Sequence, residues 1–363
     1  MPAHGAEEWL EPDEGRLSSP VLRGRRRSNA LLLPDQVHGA DERGHAVVRK
    51  QLRREQLIGY FAALPPCLVG MEACSGAHHW ARRLREFGHT VRLIPPQFVK
   101  PYVKSNKNDA ADAEAICEAV GRPNMRFVAI KTVEQQSVLS IHRVRQGFVK
   151  ARTAQANQIR GLLAEFGLIV PQGIGNIAQR VPSLIDDSGP LPVPMQQLLN
   201  GLLENMKALS GKIKELDVQI KSWHQSSDLS RKLEAIPGIG PLTASALVAS
   251  IADARSFKNG RQVAAWLGLV PRQDSSGGKT KLLGMSKRGD TYLRTLLIHG
   301  ARSAITAAQR CNKPNAWLAG LLARRNPNVA AVALANKNAR TVWALLAHDR
   351  EFQLNYVSLP VIG

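Results

Sequence analysis

Residues 67–94, CLVGMEACSGAHHWARRLREFGHTVRLI, decide the fold class of the N-terminal part. Cys67–Ala73 is a short apolar run that ends next to an acid, as a buried strand does. Gly76–Phe87 follows as a helix, and Thr90–Ile94 as a second strand. Working outward, His45–Lys50 reads as a short strand and Leu52–Leu64 as an amphipathic helix. Asp109–Val120 (DAADAEAICEAV) reads as another helix, and Met125–Ile130 as an edge strand. Strands and helices that alternate in this way make a sheet with helices packed on it, so residues 36–130 are expected to be an α/β domain.

The flanks read differently. Residues 1–35 show no steady period and are rich in Arg, Ser, Pro, Gly and Glu, so they are expected to be poorly ordered. Residues 131–227 are expected to be long helices. In 132–167, Ile141, Val144, Phe148, Ala151, Ile159, Leu162 and Phe166 recur near a helical period, with Arg143, Arg145, Lys150, Arg152 and Arg160 between them. Those cations fit either a solvated face or a helix that tracks a phosphate backbone. In 192–224, Met195, Leu199, Leu202, Met206, Leu209, Ile213, Leu216, Ile220 and Trp223 alternate spacings of four and three, the heptad seam of a coiled coil. That seam can close within one chain, on the 132–167 helix, or between two chains. Residues 228–350 read as mostly helical, broken by a polar stretch from Pro271 to Gly284, and 351–363 as a tail.

Charge narrows the function. Lys and Arg total 49 against 29 Asp and Glu, a net charge of +20, which calls for a polyanionic partner such as nucleic acid. Aromatic residues are only 5%, so base stacking is not the obvious mode of contact. No apolar run is long enough to span a bilayer, and the Leu31–Leu33 triplet is too short for a signal core, so a cytoplasmic chain is expected. Cys67, Cys74, Cys117 and Cys311 lack paired spacing and read as free thiols rather than zinc ligands. His78 and His79, adjacent on a helix, point to different faces and make no metal pair.

Three groups of residues carry chemistry. Glu72 ends the buried strand, and Asp109 and Asp112 stand three apart on one helical face. Clustered acids repel unless a hard cation such as Mg2+ joins them, and a metal pair about 4 Å apart can drive phosphodiester chemistry. The two aspartates also suit the first turn of a helix for its dipole alone. The second group is Ile236-Pro-Gly238-Ile-Gly240-Pro before the Ala-rich Ala244–Ile251, the pattern of a helix-hairpin-helix whose turn amides hold a DNA phosphate, or of an ordinary tight turn between helices. The third is Asp274-Ser275-Ser276-Gly277-Gly278, with Arg272, Lys279, Lys281, Lys287 and Arg288 around it. A serine there could attack phosphorus among cations, although Ser-Ser-Gly-Gly also suits a plain flexible turn.

In this order, GMEACSGAHHWARRL (70–84), PQFVKPYVKSNKNDAADAEAICEAV (96–120), VRQGFVKARTAQANQIRGLLAEFG (144–167), AIPGIGPLTASALVASI (235–251), FKNGRQVAAWLGLVPRQDSSGG (257–278) and SKRGDTYLRTLLIHGAR (286–302) resemble the bacterial insertion-sequence transposases of the one-ten family, most closely its eleven-eleven subgroup. The resemblance runs from about Gln36 to Tyr356. It implies a RuvC-like, ribonuclease-H-type N-terminal domain with a D-E-D-D metal tetrad, of which Glu72, Asp109 and Asp112 match the last three members. It implies a C-terminal transposase domain with its catalytic serine at Ser276 rather than Ser275. It also implies Mg2+, DNA and an element-encoded structured RNA as partners, and assembly as a dimer or tetramer. The first tetrad aspartate is expected nine residues before His38, where this chain has Asn29; Asp35 stands six places late. A weakened metal site and depressed activity are therefore expected of this copy.

Overall fold

The computed structural model describes residues 34–41, 43–104, 108–185, 191–311 and 315–353. Expectations for residues 1–33, Asn29 among them, and for the end of the tail lie outside the described residues. The chain divides into two compact units between Thr132 and Val133.

In the first unit, β1 (Pro34–Ala40) pairs antiparallel with β2 (Ala46–Arg53), with Val37 opposite Lys50. β2 runs through Leu52, which is buried, so helix α1 starts only at Arg54 (Arg54–Ala62). β3 (Leu68–Glu72) and β4 (Thr90–Ile94) form a parallel pair joined through α2 (Ala77–Glu86). A short turn of helix, α3 (Pro96–Val99), leads to α4 (Asp109–Val120). Instead of one sheet, β1–β2 and β3–β4 are two separate two-stranded sheets. The expected edge strand at 125–130 is a single bridge between Val128 and Leu93, its N–H to O distance 2.7 Å. One apolar core still unites the halves: Val37 and Leu52 from one sheet and Val69, Met71 and Leu93 from the other meet Leu57, Phe61, Trp80 and Leu84. Helix α4 packs on both β1 and β3. On β3 it presses so close that a Cβ at Gly70 would lie 2.8 Å from Val120.

The second unit is almost wholly helical: α5 (Val133–Ala164), α6 (Ile174–Leu184), α7 (Val193–Ser226), α8 (Asp228–Glu234), α9 (Pro241–Ile251), α10 (Gly260–Trp266), then β5 (Pro271–Gln273) and β6 (Leu282–Met285), then α11 (Thr291–Arg310), α12 (Ala316–Leu322) and α13 (Pro327–His348). The heptad seam of α7 closes on α5 of the same chain. Arg145 meets Asp217 at 2.5 Å, Arg152 meets Ser210 at 3.4 Å and Gln155 meets the Leu202 carbonyl at 2.8 Å, so the two helices run antiparallel. In α7, Leu199, Met206, Ile213 and Ile220 are buried, seven apart, while Leu202, Leu209 and Leu216 are half-buried. In α5 the buried set is Val138, His142, Gln155, Ala156, Ile159 and Leu163. Of the positions expected from apolar spacing only Ile159 is among them; Val144, Ala151 and Phe166 are exposed. The seam of α5 is partly polar, and counting apolar side chains misplaced it. Helix α6, a short helix between the two long ones, buries Ile177 and Val181 against this pair. Alanines in α9 and α13 (Ala244, Ala246, Ala331, Ala335, Ala339) let the C-terminal helices approach closely around Leu247, Leu297 and Val342. No helix among the described residues is long and apolar enough to cross a membrane.

One buried polar knot ties α5 to α9 and α11. His142 Nε2 lies 3.0 Å from Ser245 Oγ, and Nδ1 lies 2.9 Å from the Tyr292 hydroxyl. Ser245 spends its proton on the Pro241 carbonyl at 2.7 Å, so it accepts from His142 Nε2, and Nδ1 accepts from Tyr292. Burial lowers the His142 pKa to about 4 and raises that of Tyr292 to about 12, which keeps both neutral. Unfolded, the histidine would take up a proton near pH 6.5, so its contribution is complete above that pH and is lost as pH falls toward 4. The stability lost between pH 7 and pH 5 is expected to be about 2 kcal/mol greater for this chain than for its His142→Gln variant. Urea midpoints at the two pH values check this; equal losses would remove His142 as the cause.

Candidate functional site

The stretch expected to be a loop at 271–284 is an antiparallel hairpin. β5 and β6 pair Pro271 with Met285 and Gln273 with Leu282. Beyond them Asp274 N–H meets the Lys281 carbonyl at 2.9 Å, and Lys279 N–H meets the Ser276 carbonyl at 3.0 Å. Gly277 and Gly278 form the tip with φ of 54° and 74°. Two left-handed residues in succession are what a two-residue loop of type I′ requires, and glycine supplies them without strain. The two serines therefore differ. Ser275 Oγ accepts from Lys281 N–H at 3.1 Å and from Gln273 Nε2 at 3.0 Å, so it is spent on the hairpin. Ser276, beside the tip, is exposed, and its hydroxyl makes no hydrogen bond among the described residues. Arg272, Lys279, Lys287 and Arg288 are exposed and form no ion pair among the described residues; Lys279 bridges Ser276 across the tip, whereas Lys287 and Arg288 stand at the base of the hairpin.

The base of the hairpin is fixed by residues that the sequence reading passed over. The turn 266–268 and the turn 287–289 touch backbone to backbone. A Cβ at Gly268 would lie 2.0 Å from the Arg288 carbonyl, and one at Gly289 1.9 Å from the Trp266 carbonyl. Arg294, buried in α11, donates to the Leu267 carbonyl at 3.1 Å, the Arg288 carbonyl at 3.0 Å and Thr291 Oγ1 at 3.2 Å. The run SKRGDTYLR contains both Gly289 and Arg294, but only the fold shows that they close on 266–268.

The second group lies in the turn from α8 to α9. Ile236 and Ile239 point into the core, and Asn338 Nδ2 holds the Pro237 carbonyl at 2.9 Å. Gly238 (φ 89°) and Gly240 have different roles. Gly238 lies against α11, where a Cβ would meet the Gly300 carbonyl at 2.6 Å. Gly240 is the extended residue that starts α9; it is exposed, with open space where a Cβ would go. Gly238 thus packs against α11, while Gly240, ahead of the first turn of α9, is exposed.

The carboxylates sit where β3 and α4 pack together. Glu72 ends β3 and Asp112 lies in the first turn of α4; both are buried, while Asp109, one turn earlier, is half-buried. Asn108 caps that helix by accepting from Ala111 N–H at 2.7 Å. Among the described residues no three His, Cys, Asp or Glu side chains gather into a group able to hold a metal ion. His78 Nδ1 accepts from Lys131 N–H at 3.2 Å, and its Nε2 lies 3.2 Å from Lys131 Nζ.

Comparison with known proteins sets these features in a family. A model described as the transposase IS116/IS110/IS902 family matches residues 230–315, which include the α8–α9 turn, the serine hairpin and Arg294. A transposase model of the IS110 DEDD type matches residues 38–167, which include all three carboxylates. A probable family 20 transposase of Pseudomonas aeruginosa is 55% identical over 86% of this chain and 94% of its own length. The transposase of insertion sequence element IS1111A from Coxiella burnetii is 43% identical over 88% of both chains. That of IS1328 from Yersinia enterocolitica is 41% identical over 87% of this chain and 94% of its own. This chain belongs to the IS110/IS116/IS902 family of insertion-sequence transposases. Its class of work is thus the cutting and joining of DNA.

The two glycines of the α8–α9 turn are expected to separate cleanly in a stability measurement. Gly238→Ala should cost about 2 kcal/mol or more, from overpacking against Gly300 and a left-handed backbone. Gly240→Ala should stay within about 0.5 kcal/mol of the parent. Urea denaturation of both variants tests this, and equal losses would contradict the division of roles.

Proposed function

We propose that this chain is an RNA-guided recombinase whose nucleophile is Ser276. The observation that carries this reading is the contrast at the hairpin: Ser275 is bound by two hydrogen bonds, and the Ser276 hydroxyl is exposed and uncommitted. In the reaction, Ser276 Oγ forms a bond to a DNA phosphorus while the bond to one sugar oxygen breaks. The strand is left as a phosphoserine diester and the sugar leaves as an alcohol. Lys279, bridged to Ser276 across the tip, offsets the negative charge that builds on the phosphoryl oxygens, and Arg272, Lys287 and Arg288, further down the hairpin, take flanking phosphates. A serine hydroxyl is a weak nucleophile and needs a base. Within the hairpin Asp274 is the sole carboxylate and there is no histidine, so the proton goes to a base brought by the assembled complex.

The finer architecture belongs to the same reading. The N-terminal unit is a RuvC-like domain, α5 and α7 are an antiparallel coiled coil, and α8–turn–α9 is a helix-hairpin-helix that rests on a DNA phosphate through Gly240 and α9. An element-encoded RNA pairs with the DNA, and two or four copies assemble on it. Glu72, Asp109 and Asp112 are the carboxylates that would hold Mg2+, which in such a domain supplies Lewis acidity toward phosphate. A second reading, that this copy binds nucleic acid without cutting it, rests on Asn29 standing where the first tetrad aspartate is expected.

Calorimetry is expected to find Mg2+ binding weak, with no saturation below about millimolar metal, and tight binding would overturn the incomplete-site reading. Replacing the segment before Val37 with a strand that carries Gly-x-Asp is expected to strengthen that binding and raise strand transfer. With DNA and the element's RNA, that restored chain should form a covalent protein–DNA adduct on a denaturing gel. Ser276→Ala should abolish the adduct and Ser275→Ala should keep it. An adduct that survives Ser276→Ala would show that another residue attacks.

A further inference from the structure

Trp317, at the start of α12, is exposed to 41%, one of two aromatic side chains among the large exposed hydrophobics described. Leaving an indole in water is unfavourable, and the neighbouring Leu318 is buried in the core while Trp317 is not. Its surroundings are cationic. Lys337 of α13 holds its Nζ 4.5 Å from the ring centroid. Arg340 lies one turn further along the same face of α13. The backbone of Arg340 touches the first residue of α10, since a Cβ at Gly260 would lie 2.9 Å from Arg340 Cα, and Arg261 follows next in α10 with Lys258 just before the helix. All four cations are exposed, and none forms an ion pair among the described residues. An aromatic platform thus adjoins a row of free positive charge running across α12, α13 and α10.

We infer that this row is a binding site for an unpaired DNA strand, with one base stacked on Trp317 and the flanking phosphates on Lys337, Arg340, Arg261 and Lys258. A surface indole can stack on a base only when that base is out of its pair, so the platform selects single strands, whereas the cations alone would serve any polyanion. Stacking of a base outweighs a solvent-exposed cation–π contact, so Lys337 gives up the ring and turns to the adjacent phosphate. The strand is DNA because the family recombines DNA, and exchange of strands leaves one unpaired. Trp317, Lys337 and Arg340 lie beyond residues 230–315 and Lys258 and Arg261 within them; all five stand outside the hairpin, and the site does not depend on Ser276.

The test uses the full chain and a labelled oligomer of about a dozen thymidines, with a duplex of the same length beside it. Trp317→Ala should weaken binding of the single strand roughly 5- to 100-fold and leave the duplex within about twofold. Trp317→Phe should recover most of the loss, since a smaller ring still stacks. Arg261→Gln and Arg340→Gln should each lower the slope of log affinity against log salt by about one. Unchanged single-strand affinity in Trp317→Ala would overturn the proposal. So would an equal loss for the duplex. If a uridine oligomer binds more tightly than the thymidine one and alone loses affinity in Trp317→Ala, the partner is RNA and the assignment to DNA falls. A Ser276 variant that binds the thymidine oligomer normally would keep this site separate from the fate of the nucleophile.

Discussion

The serine hairpin depends on a buried arginine. A guanidinium taken out of water is costly unless its donors are met, and Arg294 meets them with two main-chain carbonyls, of Leu267 and Arg288, and with Thr291. Those carbonyls belong to the two turns that close the base of the hairpin. The turns themselves meet without side chains, at Gly268 and Gly289. A lysine at 294 would keep the charge and lose the planar fork that reaches both carbonyls. The arrangement holds the two strands at one end and leaves the other end to glycine, so Ser276 stands out from the surface beside a defined turn.

A similar economy holds the second unit together. Its long helices meet along a seam that is apolar on α7 and partly polar on α5. Gln155 bonds the Leu202 carbonyl and accepts from Asn205 at 2.8 Å; Arg145 pairs with Asp217. These contacts are met in one register only, which fixes the pairing in a way that leucines alone would not. The His142 knot then joins the seam to α9 and α11, next to the Asp290 cap that follows the hairpin. The packing that sets the helices is thereby continuous with the packing that positions the site.

Much of this was legible in the sequence, for identifiable reasons. Thr90–Ile94 and Asp109–Val120 fall where the alternation of strand and helix patterns put them. The α7 seam is visible because its heptads are unbroken. The α5 seam is not, because His142 and Gln155 occupy core positions through partners over 45 residues away in sequence. Gly238 and Gly240 look alike in PGIG, yet one packs on Gly300 and the other faces out, a difference that comes from a helix 50 residues later. The hairpin hid in a polar stretch because its strands are short and exposed and so lack an apolar period. The split of the N-terminal sheet was likewise not legible, since each strand has an ordinary pattern and only pairing reveals the break.

Mass spectrometry of the covalent adduct tests the central claim most directly. Digestion of the trapped complex with nuclease and protease should leave one nucleotide on a peptide spanning residues 273–279, with fragment ions that place the added mass on Ser276. The same mass on Ser275, on Ser286 or on a tyrosine would contradict the account.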